Sequence, residues 1–174
     1  MKQYSKRMVV IHWLTLIMVI LAWYLGDSLD EARHEKSATL IGYLAHAMVG
    51  GIVLLMTVFR WIFRGVDGTP PPVGNSMMDL AAKGVHHLLY LLLFLLPATG
   101  FMTILASGVG MALLAGDASM LPTKYTGPGI LPHTAHEILM NVLIVAVVVH
   151  VLGAIKHQFI MKNGLMERMS LRRK

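Results

Sequence analysis

Nine histidines stand among the 174 residues, most of them inside or beside apolar runs. An ionisable side chain within a membrane-spanning helix is costly, so its presence is a functional hypothesis by default. His136 and His150 are fourteen residues apart. On a helix, that spacing returns to within about 40° of the same face and rises about 21 Å. One helix face therefore carries imidazoles at two depths. His46 lies about two turns into an earlier apolar run and matches His136 in depth. His12 lies about one turn into the first run and matches His150. Two layers of paired neutral imidazoles are what two bis-histidine haems require. Iron with both axial positions filled does not readily bind oxygen or substrate, so the expected chemistry is outer-sphere electron transfer. Gly50 and Gly51, one turn after His46, let a flat macrocycle approach the backbone.

Other readings of these imidazoles stay open. Each histidine taken singly reads equally as a hydrogen-bonded packing residue. Imidazole also serves zinc, but a zinc site wants three or four ligands in one layer, and no mid-membrane carboxylate is present. A histidine-lined proton or metal path is the non-redox reading. His157, seven residues after His150, is the reserve ligand on nearly the same face. His86 and His87 open the third apolar run, where they serve a haem edge, proton uptake or a helix surface. His133 is expected just outside the fourth helix and His34 in a loop. The fourteen methionines read most simply as bundle packing.

These residues must be held by something other than a soluble domain. Hydrophobic residues make up 56% of the chain and charged residues 14%, against about 25% charged in an ordinary soluble domain. Mean hydropathy is +0.64. A soluble enzyme and a disordered chain are both excluded. The net charge of +6 reads as membrane topology rather than nucleic-acid binding. The absence of cysteine rules out disulfides, thiolate-held iron–sulfur clusters and covalently attached haem.

Four segments reach the length of about 20 mostly apolar residues that a spanning helix needs. They cover about 8–26, 38–63, 80–105 and 134–159. The expected fold is an all-α integral membrane protein, one four-helix transmembrane bundle over residues 1–174 without a second domain. The first segment is too long for a cleaved signal peptide and carries His12, Trp13, Trp23 and Tyr24. The expected connections are a short acidic loop from Asp27 to Ser37, a turn from Gly65 to Ser76 with Pro70, Pro71 and Pro72, and a Gly-rich loop from Ala106 to Pro132.

Orientation follows from the basic residues. The N-terminus, the second connection and the C-terminal end together hold Lys2, Lys6, Arg7, Arg60, Arg64, Lys83, Lys156, Lys162, Arg168, Arg172, Arg173 and Lys174. The opposite side holds only Arg33, Lys36 and Lys124, with six acidic residues, for a net −3. Both termini are therefore expected in the cytoplasm.

The chain resembles the bacterial cytochrome b561 family, four-helix dihaem proteins related to hydrogenase cytochrome b subunits. The resemblance is carried by Ile11-His12-Trp13-Leu14, Ala45-His46 with Gly50, Phe59-Arg60, His86 with Tyr90, Leu96-Pro97 with Gly100, and His136-Glu137 with His150 and His157. The basic tail completes it, and the match covers essentially the whole chain. It implies two haem b groups, ligated by His12 with His150 and by His46 with His136. It also implies electron exchange with ubiquinone or another quinone in a bacterial inner membrane. One branch of the family resembles a superoxide oxidase. An anionic substrate, however, would be steered by a positive mouth, so generic haem-to-quinone transfer ranks first.

Supporting residues follow from physical argument. Arg60 and Arg64, at the inner end of the second helix, suit pairing with haem propionates. The positive-inside rule alone accounts for them equally. Arg60 and His86 are the first candidates beside a quinone. Thr134-x-x-Glu137 fits a helix capping box, and Pro97 a kink in the third helix. Two further functions remain in view: an anchor that relays electrons from a dehydrogenase or hydrogenase docked outside, and a histidine-lined transporter.

Overall fold

The computed structural model describes residues 3–71 and 77–172, with backbone alone at Met78. Lys2, Pro72 to Ser76, Arg173 and Lys174 thus lie outside the described residues. Helix α1 runs Lys6–His34. Ser5 starts it, its hydroxyl accepting from the Met8 N–H at 3.3 Å. The helix does not stop at Gly26. The stretch expected as an acidic loop from Asp27 is helical through His34. Its Leu, Glu, Ala and Arg are good helix formers, and Arg33 pairs with Asp30 one turn back. The apolar run marks where the membrane ends, whereas the helix ends where the backbone turns. That turn comes at Lys36, in the left-handed region at φ 60°.

Helix α2 spans Leu40–Asp67, with the Thr39 hydroxyl accepting from the Gly42 N–H at 3.1 Å. Its last residue, Asp67, accepts from Ser5 Oγ and from the Arg7 guanidinium, tying the start of α1 to the end of α2. Helix α3 spans Met77–Ala106 and contains Pro97.

The long connection after α3 is more ordered than a Gly-rich loop. It holds a short helix, α4, at Val109–Ala115 and two single 3-10 turns. Helix α5 then runs Ile130–Ile155, four residues earlier than the apolar pattern indicates. Pro132 is tolerated because the first N–H groups of a helix have no intrahelical partner. This places His133 and Thr134 inside α5. The capping box expected of Thr134 and Glu137 is therefore not formed, and Glu137 Oε2 instead lies 3.7 Å from His133 Nδ1, one turn back. Beyond α5 come a π turn at Lys156–Ile160 and a 3-10 turn at Leu165–Met169.

The two ends of the chain meet. The Tyr4 N–H donates to the Arg168 carbonyl, and Trp13 Nε1–H donates to the Met169 carbonyl, both at 3.1 Å. This end of the bundle is called proximal below, and the other end distal.

Four helices are long and apolar enough to cross a membrane, and among the described residues no strand occurs. Large apolar side chains within the spans, such as Ile17, Leu55 and Val145, stand exposed on the outer faces, as lipid contact requires. Buried Thr15, Thr57 and Thr103 donate to the carbonyls of Ile11, Val53 and Thr99, so these three hydroxyls are satisfied within their own helices.

Helix α1 packs along α2 and α3 along α5, while α2 and α3 join the two pairs. The backbones of α1 and α2 do not close on α5 in the same way. Side chains rather than close backbones therefore join α5 to the α1–α2 pair, and this seam is called the slot below. Mid-bundle, Val53 of α2, Leu92, Leu93 and Leu96 of α3, and Leu143 and Ala146 of α5 form the apolar core. In sequence, Leu143 and Ala146 fall between His136 and His150.

Candidate functional site

Each histidine pair spans the slot at its own depth. In the distal layer the rings of His46 on α2 and His136 on α5 have centroids 6.1 Å apart. In the proximal layer His12 on α1 and His150 on α5 are 6.3 Å apart. Two imidazole nitrogens each about 2 Å from one metal ion hold their ring centroids roughly 6 Å apart. Direct packing of two aromatic rings does not require that separation to recur at two depths.

Hydrogen bonding fixes the distal rings. His46 Nδ1 lies 3.0 Å from the Ala22 carbonyl, and His136 Nδ1 lies 2.9 Å from the Leu96 carbonyl. A carbonyl only accepts, so both rings carry their proton on Nδ1 and leave Nε2 as the free donor atom. A backbone carbonyl held on Nδ1–H is what orients a metal-ligating histidine. Thr99 Oγ1, 3.2 Å from His136 Nδ1, borders the same ring.

Two glycines make the room. A Cβ on Gly26 would stand 2.9 Å from His46 Cε1, and one on Gly100 would stand 3.1 Å from His136 Cε1. Each ring thus rests against a neighbouring helix where any side chain would collide with it. Gly26 reads in the sequence as the last residue of an apolar run, and only the packing of α2 against α1 reveals its role. Gly50, by contrast, meets nothing beyond its own stretch of helix within 4 Å of where a Cβ would stand, so open space adjoins the backbone there.

The proximal layer is built differently. His12 Nδ1 and Arg60 Nε are both buried without a hydrogen-bond partner. Buried polar atoms are normally satisfied, so this pair marks a place prepared for a further group. The Arg60 guanidinium lies over the Tyr90 ring at 5.1 Å. His86 is drawn into the layer, its ring centroid 5.2 Å from that of His150. Arg64 lies one turn beyond Arg60 and is exposed.

His157 is set apart by its hydrogen bonds. Asn163 Oδ1 accepts from the Leu165 N–H, which turns the Asn163 amide nitrogen toward His157 Nδ1 at 2.8 Å. That nitrogen donates, so His157 accepts on Nδ1 and carries its proton on Nε2. This tautomer is the reverse of the distal pair's and does not offer Nε2 to a metal. His157 instead holds the π turn against the C-terminal segment.

At the distal mouth a polar cluster escaped the linear pattern because it draws on three helices and the α4–α5 connection. Tyr125 stacks on His133 at 4.0 Å, lies under the Arg33 guanidinium at 4.9 Å, and shares a 3.3 Å hydrogen bond with Tyr43. Burial pushes the Tyr125 phenol up, so it stays neutral at physiological pH.

The family model for prokaryotic cytochrome b561 matches residues 3–170. The chain belongs to the prokaryotic cytochrome b561 family. A relative from Cereibacter sphaeroides, cytochrome b562, is 30% identical over 170 residues, covering 95% of this chain and 94% of its own. Cytochrome b561 homolog 1 of Escherichia coli is 26% identical and matches over the full length of both chains. A Yersinia pestis protein named probable superoxide oxidase CybB is 25% identical over 97% of this chain and 96% of its own. As a cytochrome b561 family member the chain is a multi-pass membrane electron-transfer protein, and the family implies haem b. Separation of the paired rings, free Nε2 atoms in the distal layer and orphaned polar atoms in the proximal layer all suit it.

Proposed function

We infer that the protein carries two haem b groups and passes electrons between a donor at the distal face and a quinone at the proximal face. The recurrence of the metal-bridging ring separation at two depths carries this reading, 6.1 Å and 6.3 Å. Bound haem would supply one-electron redox chemistry, with imidazoles of this chain holding it.

The chain's own residues do the rest. His46 and His136 hold the distal group, with the Ala22 and Leu96 carbonyls keeping both rings in the Nδ1–H tautomer. His12 and His150 hold the proximal group. Arg60, with its unpaired Nε, offers a cation to a propionate. His86, against His150, stands ready to hold or release a proton beside a quinone, and Arg64 adds positive charge at the same end. Lipid-facing side chains keep the layers in a low dielectric. The excess of Lys and Arg at the proximal end sets both termini in the cytoplasm of a bacterium, with the bundle in its inner membrane.

A relative named for superoxide oxidation makes superoxide the first donor to try. The distal face, with three cations against six acids, opposes an anion unless a local patch reverses the field. A docked redox protein is the other donor, which would make the chain an anchor subunit. Co-purification of such a partner distinguishes the two.

Proteoliposomes of known orientation test the reading. With a membrane-impermeant reductant outside, quinone should be reduced by the wild type and not by His136→Ala, whereas added quinol should still reduce the remaining haem. Quinone reduction at the wild-type rate by His136→Ala would refute a relay in series.

Gly26→Ala is expected to press on the His46 ring and lower haem retained through purification, with a smaller effect than loss of the imidazole. Haem per chain by pyridine haemochrome checks this, and unchanged content and distal midpoint potential would count against the cradle.

A further inference from the structure

We propose that Asp30, His133 and Glu137 form a binding site for a divalent transition-metal ion of the zinc class at the distal mouth of the bundle. One ligand atom from each lies within 4.8 Å of the others. That is close enough for small rotations to bring all three onto one ion at about 2.0–2.2 Å. The three come from two helices a hundred residues apart in sequence, Asp30 on α1 and His133 and Glu137 one turn apart on α5. The fold rather than local sequence thus assembles them.

The donor set selects the metal. One imidazole with two carboxylates suits zinc and its first-row neighbours, whereas calcium and magnesium prefer all-oxygen surroundings. The site is also held in place. Arg33 engages Asp30 Oδ1, so Oδ2 is not taken up by that ion pair. His34 Nε2 is 3.5 Å from that Oδ2, a fourth ligand within reach. The Tyr125 ring, anchored by Tyr43 and Arg33, backs His133 and restricts its rotation. Two carboxylates against the single Arg33 charge leave the site net negative, as a dication requires.

The position gives the ion a consequence. It would bridge α1 to α5 across the slot, where the two backbones do not close on each other. His133 and Glu137 flank His136 in sequence, so the bridge would sit beside the distal histidine layer. None of the three residues belongs to either histidine pair, and the proposal stands or falls independently of haem ligation.

Zinc chloride titrated into the purified full-length protein in detergent, followed by calorimetry and by apparent melting temperature, tests it. One zinc per chain should bind, with a rise in melting temperature, since an ion that binds only the folded state stabilises it. His133→Ala and Glu137→Gln should each weaken binding at least tenfold and abolish the rise, with the visible absorption spectrum unchanged. His87→Ala, on the proximal end of α3, should bind as the wild type does. If His133→Ala loses its spectrum, Glu137→Gln, which preserves side-chain shape, decides the matter. Absence of stoichiometric zinc binding by the wild type, or wild-type affinity in Glu137→Gln, would overturn the proposal.

Discussion

Replacing His46 with alanine is expected to halve the haem content, from two per chain to one. His136→Ala should do the same, because each imidazole supplies one side of a single distal site. Tautomers set this expectation. The Ala22 and Leu96 carbonyls can only accept, so both distal rings present Nε2 to the slot. An alanine leaves a cavity of imidazole size beside an intact partner. Free imidazole added to His46→Ala should therefore restore part of the lost haem signal. That rescue separates loss of a ligand from general misfolding. A His46→Ala protein with full haem content would remove the distal assignment.

The second large effect lies at the other layer. His150→Ala is expected to abolish the proximal haem while the distal one stays, and His157→Ala to retain both. Spacing alone leaves this choice open, since seven residues on a helix return to nearly the same face. The hydrogen bonds favour His150. Asn163 donates to His157 Nδ1 and places the proton on Nε2, whereas the His150 ring faces His12 across the slot. His157→Ala should instead loosen the packing of the C-terminal segment, read as a lower apparent melting temperature at unchanged haem stoichiometry. Loss of the proximal haem in His157→Ala but not in His150→Ala would reverse the assignment.

The four histidines at two depths were legible in the sequence because a helix converts spacing into angle and rise, and apolar runs supply the depth. The spans themselves were legible for the same reason. Their ends were not: α1 continues eight residues beyond Gly26, since hydropathy reports the membrane boundary while Glu, Ala and Arg sustain the helix in water. The start of α5 was misplaced because Pro132 reads as a breaker, although a first turn tolerates it. His34 and His133 moved into helices as a result, and Thr134 ceased to be a cap. The clearance at Gly26 and the Tyr125–His133–Arg33 cluster depend on contacts between helices that no linear pattern encodes. His86 stood at a helix start in the sequence, and only the bundle brings it against His150.

Haem quantitation on the purified protein tests the central claim most directly. A pyridine haemochrome assay set against protein concentration should give two haem b per chain, both released by acid extraction because no cysteine exists to hold them covalently. The reduced-minus-oxidised spectrum should show low-spin, six-coordinate haem. One haem per chain, or none, would contradict the account.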